Sequence, residues 1–172
     1  PAAAPTTAAE RTAYLQDAAH WRSSSEFGGS PAAAGAGAIH TVVVNEVLAH
    51  TDLPMLDSIE LFNSTGAAID LGGWYLSESS ADYRKYRIPD GTVLAAHEYR
   101  VFDEDDFGQY FRLDAETGED VWLLSADAAG KLTAFVEHAE FGAAANGESL
   151  GRWPDGTGGL YPLKNRTLGE PN

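Results

Sequence analysis

The chain contains no cysteine, which excludes structural disulfides and thiolate metal sites. It is also poor in positive charge: 11 Lys and Arg stand against 26 Asp and Glu, for a formal net charge of -15 over 172 residues. An acidic surface repels phosphate backbones, and nucleic-acid binding needs a basic stripe that releases counterions. The densest basic patch is Arg84-Lys85 with Arg87, so a nucleic-acid partner is not expected. No run approaches the roughly 20 apolar residues of a membrane span, and no charged segment followed by an apolar stretch opens the chain. It opens on Pro1 rather than Met and reads as a segment of a longer protein.

What is present concentrates after position 41. Val42-Val43-Val44-Asn45-Glu46-Val47, Ile59-Glu60-Leu61-Phe62-Asn63 and Ile69-Asp70-Leu71-Gly72-Gly73-Trp74-Tyr75-Leu76-Ser77 are short, β-rich runs, each closed by turn residues. Candidate strands cover 41–49, 57–63, 73–78, 84–88, 99–102, 120–125, 132–138 and 147–152. Asn63-Ser64-Thr65-Gly66, Pro89-Asp90-Gly91, Ala129-Gly130 and Asn146-Gly147 carry the turn chemistry between them. Eight strands at this spacing predict an all-β fold of two packed antiparallel sheets, with room for a sandwich of roughly 110 to 130 residues. Strict alternation groups Val42, Val44, Glu46 and Leu48 on one face of the first strand and Val43, Asn45 and Val47 on the other. Trp74 reads as a core anchor.

Residues 1–38 are different: rich in Ala, Pro, Ser and Gly, with a short helix expected between Ala8 and Ala19. The stretch from Trp21 to Gly29-Ser30-Pro31 parallels the end of the chain, where Trp153-Pro154 leads to Thr167-Leu168-Gly169-Glu170-Pro171-Asn172. The division expected is 1–38 as a linker or the trailing edge of a preceding module, and 39–172 as the sandwich domain. A disordered extension is the other reading of 1–31.

The order of the Asn-Glu strand, the Ile-Glu-Leu-Phe-Asn strand and the Leu-Gly-Gly-Trp-x-Leu-Ser segment resembles the lamin tail domain family. So do Tyr86-Arg87-Ile88-Pro89-Asp90-Gly91-Thr92-Val93-Leu94, Phe107-Gly108, Val121-Trp122-Leu123-Leu124 and Gly147-Glu148-Ser149-Leu150-Gly151-Arg152. The resemblance implies an immunoglobulin-like antiparallel β-sandwich that is not an enzyme. It further implies an interaction, attachment or spacer module of a bacterial secreted or surface multidomain protein. The expected location is extracellular or at the cell surface, and the expected partners are neighbouring domains of the parent chain and a protein or glycan met through loops and strand edges.

Several residue groups carry possible chemistry. Gly147-Glu148-Ser149-Leu150-Gly151 fits the G-x-S-x-G elbow, but Pro154 and the glycines after it argue against the helix that an elbow needs. An accessory fragment of a hydrolase, using Ser149 or an acidic pair such as Asp103 and Glu119, is the alternative it raises. The five histidines are scattered without metal-ligand spacing.

The acidic segment Asp103-Glu104-Asp105-Asp106 with Asp114, Glu116, Glu119 and Asp120 concentrates carboxylates of the kind calcium needs. Asp103, Asp105, Gly108 and Asp114 match four positions of an EF-hand loop, while Phe107 and the missing flanking helices do not. Asp103, Asp105, Asp106 and Asp114 are therefore candidate calcium ligands, in a module that the ion would stabilise as a spacer; a solvated acidic loop is the alternative. Glu46 and Glu60, near Asp52 and Asp57, are a second candidate group, because acids in apolar strands need hydrogen-bond partners or a cation. Asn63-Ser64-Thr65 and Asn165-Arg166-Thr167 match the glycosylation sequon. Trp21, Trp122, Trp153, Tyr83 and Tyr86 grouped on one flat face would point to a glycan.

Overall fold

The computed structural model describes residues 6–16, 24–30, 35, 37–108, 111–114 and 117–172. A helix α1, Ala8–Gln16, precedes the strands. Thr7 caps it, its hydroxyl accepting from the Glu10 amide while the Glu10 carboxylate accepts from the Thr6 and Thr7 amides. Those bonds hold the Glu10 carboxyl down at about 2. The parallel with a preceding module drawn from Trp21 lies partly outside the described residues.

The strands are β1 (Val42–Leu48), β2 (Ser58–Asn63), β3 (Ile69–Asp70), β4 (Tyr75–Ser77), β5 (Tyr86–Arg87), β6 (Val93–Leu94), β7 (Tyr99–Asp103), β8 (Glu119–Ala126), β9 (Leu132–Phe141), β10 (Leu150–Arg152) and β11 (Leu160–Pro162). One sheet runs β11-β10-β1-β2-β7 and another β5-β4-β8-β9, with β3-β6 as a small ribbon. The pairings between these strands are antiparallel. The expected all-β, immunoglobulin-like sandwich is the fold observed. All eight expected strand regions hold strands, most of them shorter than the sequence implies; β3, at the start of the Ile69 run, and β6 and β11 lie outside those regions.

Val42, Val44, Val47, Ile59, Leu61, Leu76, Val121, Leu123 and Val136 meet in the core between the sheets. Trp74 is half-buried and packs against this core. Strict alternation along β1 fails at one point. A β-bulge between Val44 and Glu46 leaves Asn45 unpaired, so Val47 returns to the core face of Val42 and Val44. Glu46 is thereby placed opposite Glu60 of β2.

A short helix α2, Glu104–Phe107, follows β7 and buries Phe107 against Phe111. Arg152 of β10 staples the two sheets. Its Nε donates to the Val44 carbonyl, and its guanidinium lies 2.7 Å from Glu137 of β9. Burial pushes the Glu137 carboxyl up, and Arg152 opposes that rise. No helix among the described residues is long and apolar enough to cross a membrane.

Candidate binding face

The two carboxylates singled out in strands are fully buried and paired across β1 and β2. Their lone pairs go to the end of the chain. The Thr167 amide donates to both Glu46 oxygens at 3.2 Å, and the Thr167 hydroxyl lies 2.7 Å from Glu46 Oε2. Glu60 accepts from the Gly169 amide at 2.5 Å and from Asn45 Nδ2 at 3.0 Å.

Asn45 spends its second amide proton on Asp155 Oδ1, and its own oxygen accepts from the Gly156 amide. Asp155 also accepts from the Tyr99 hydroxyl and the Asn172 amide, while Asn172 Nδ2 donates to the Asn45 and Arg152 carbonyls. Burial raises the Glu60 carboxyl to about 7; the Asn45 and Gly169 bonds oppose that rise, and the neighbouring charges of Glu46 and Asp155 add to it. The Tyr99 hydroxyl is pushed up by desolvation and by Asp155. This network ties the tail, residues 167–172, to the outer face of the five-stranded sheet.

The same closure accounts for the G-x-S-x-G match. Gly147 has φ 75°, in the left-handed region that its turn requires. At Gly151, opposite Glu46, a Cβ would come within 2.5 Å of Leu163 and 2.7 Å of Asn172 Nδ2. Ser149 between them is fully buried, out of reach of a substrate.

In the acidic segment, Asp103 caps α2, its Oδ1 accepting from the Asp105 amide at 3.0 Å and the Asp106 amide at 3.4 Å. Asp106 returns a bond to the Asp103 amide. Asp105 contributes its amide to that cap. Asp114 is engaged elsewhere, its amide on Glu119 and its carboxylate near the Thr117 hydroxyl. Glu116 lies outside the described residues. Among the described residues, no group of three or more His, Asp or Glu side chains is arranged to hold a metal ion. Asn63, of the first sequon, is buried, and its side chain donates to the Ala67, Leu94 and Ala95 carbonyls.

A different feature stands on the outer face of the four-stranded sheet. Leu124 and Trp122 alternate away from the core, and Leu124 packs with Tyr75 and Leu132 beneath a layer of larger rings. Tyr83 meets Phe135 at 5.2 Å and Trp122 at 5.8 Å, both edge to face. Trp122 stacks on its cross-strand partner His138 at 5.0 Å and 6°, and Asp120 holds the His138 ring at 2.6 Å. Of the aromatics weighed for one flat face, Trp122 and Tyr83 share this one. Tyr86 packs on Phe102 and Phe107, Trp153 is not in this layer, and Trp21 lies outside the described residues.

The chain's own N-terminal extension is docked here. Glu26 forms a β-bridge with Ala134, the Phe135 amide donates to the Ser25 carbonyl at 2.6 Å, and the Phe27 amide donates to the Thr133 carbonyl at 2.9 Å. Phe27 lies 5.4 Å from Phe135 and 6.0 Å from Tyr83. Residues 25–27 thus add a short strand to the open edge of β9. The one signal for this in the sequence is Phe27, a lone large apolar residue in a small-residue stretch.

Between that strand, the lead into β1 and the β8–β9 face lies a cavity of about 380 Å³, lined by Ser25, Ile39, His40, Trp122, Phe135 and Glu137 among others. Ser25 is 4% exposed, and its hydroxyl has no hydrogen-bond partner among the described residues.

The model of the family described as Lamin Tail Domain matches residues 36–145. No curated protein and no solved structure matches the chain. The sandwich itself runs past the matched segment, since β10 pairs with β1 and the tail seals the same sheet. With more than half of its length matched, and with the sandwich that the match implies, the chain belongs to the lamin tail domain family.

Proposed function

We propose that this domain is a non-catalytic interaction and attachment module whose working surface is the β9 edge together with the aromatic outer face beside it. The observation that carries this reading is the docked segment 25–27, which uses backbone bonds to the edge and one aromatic side chain on the face. This is strand addition, the mode by which open sheet edges take extended partners. In the intact chain it fixes the stretch that precedes the sandwich, so the domain sets the direction of whatever the parent chain carries there. In trans the same edge receives an extended segment with an aromatic residue at the position of Phe27. The setting we propose is a larger secreted or surface protein of bacterial type, with the acidic surface serving solubility.

The test is a titration of the seven-residue peptide Ser24–Ser30 into the chain carrying Phe27→Ser, followed by amide and aromatic ring chemical shifts. The expected result is saturable shifts at residues 133–138 and at the Tyr83 and Trp122 rings. No saturable shift, or shifts centred on another surface, would overturn the reading.

A further inference from the structure

We propose that the cavity under the docked segment binds one neutral sugar ring of a glycan, an inference that rests on the reading of this face as the working surface. Its volume of about 380 Å³ lies at the small end of ligand sites, about 300–1,000 Å³, which suits a single ring.

The walls divide chemically as a pyranose does. Ile39, Phe135 and Trp122 supply an apolar side, against which the C–H face of a sugar packs. Ser25 and His40 supply hydrogen-bonding groups on the other. The charged groups at the site already have partners: Glu137 pairs with Arg152 at 2.7 Å, and the Asp120 carboxylate is hydrogen-bonded to the His138 ring at 2.6 Å. An anion or a cation would have to break a pair to gain one, whereas a neutral polyhydroxylated ring leaves both in place.

The second observation is Ser25. Its hydroxyl is buried without a partner among the described residues, which folding tolerates at a cost and which a ligand hydroxyl would relieve. The walls are also held before any ligand arrives. Trp122 is fixed by His138 and Tyr83, and Ser25 by the bond from the Phe135 amide to its carbonyl. Such preorganisation lowers the entropic cost of binding.

The experiment is a titration of the full chain with methyl glucoside, methyl galactoside, methyl mannoside and N-acetylglucosamine, with p-cresol as the aromatic control, read by tryptophan fluorescence and ligand NMR. At least one sugar is expected to saturate. Ser25→Ala should weaken it by about five- to tenfold while leaving the thermal midpoint of the free chain unchanged or higher, because an unpaired buried hydroxyl is removed. Trp122→Phe should weaken it too.

The proposal is overturned if none of the sugars saturates by about 50 mM, well beyond the millimolar range of a small ring, which would leave a cavity that holds water only. It is also overturned if p-cresol alone saturates, or if Ser25→Ala binds as the parent does. Protection of the Phe135 amide, measured on the same sample, separates the two claims: an empty cavity under a docked segment sinks only this proposal.

Discussion

Glu46 and Glu60 stand opposite each other across β1 and β2 with no exposed surface, and each is satisfied by a different residue of the tail, Thr167 for Glu46 and Gly169 for Glu60. The last six residues therefore act as a structural part of the sandwich. Without them, two acids in apolar strands would be left to desolvation alone.

Thr167→Val keeps the shape of that contact and removes the hydroxyl donor. We expect a loss of about 1–3 kcal/mol, the cost of stranding a buried acceptor, read from urea midpoints at an unchanged slope. A variant as stable as the parent would show that the tail rests on the sheet without supporting it.

Burial raises the Glu60 carboxyl from its ordinary 4.5 to about 7, so the folded chain holds this proton more tightly than the unfolded chain does. The sign follows from that: the contribution is complete below pH 4.5, declines as pH rises, and levels off above about 7, lower by roughly 3 kcal/mol. Asp57, Glu119 and Glu137 are raised as well and act in the same direction. Glu60→Gln cannot ionise, so the difference in stability between parent and variant should change across this window. A difference independent of pH would contradict the assignment.

Arg152→Met leaves Glu137 buried without its partner and should cost about 3–5 kcal/mol, whereas adding Glu137→Leu should recover most of the loss. Chemical denaturation of the single and double variants gives the coupling directly. Additive losses would mean that the staple is not a pair.

Asp103 caps α2, and Asp103→Ala should cost about 1 kcal/mol in EDTA and in millimolar calcium alike. The parent's thermal midpoint should also be the same in both. A midpoint that rises with calcium in the parent but not in the variant would make the segment an ion site, as the clustered acids suggest when read alone.

Most strands from Val42 to Arg152 are legible because alternation and turn residues are local signals; the two-residue β3 and β6 are too short to carry an alternation. The same alternation puts Trp122 and Leu124 on one face and Val121 and Leu123 on the other, as the two clusters show. The bulge at Asn45 was not legible: valines on both faces of β1 hide a change of phase. The tail partners of Glu46 and Glu60 lie more than 100 residues away along the chain, and no local pattern encodes that pairing. For the acidic segment, composition exposed the clustered carboxylates but not that Asp103 and Asp106 satisfy the ends of a four-residue helix. The docking of Ser25–Phe27 was hidden for a further reason. Two backbone bonds and one ring need almost nothing from sequence beyond a phenylalanine.

Amide hydrogen exchange on the intact chain tests the central claim most directly. If residues 25–27 occupy the β9 edge, the Phe27 and Phe135 amides are protected together. Phe27→Ala then releases both while leaving the β8 amides at Trp122 and Leu123 unchanged. A Phe135 amide that exchanges as freely as an unpaired edge in the parent would contradict the account.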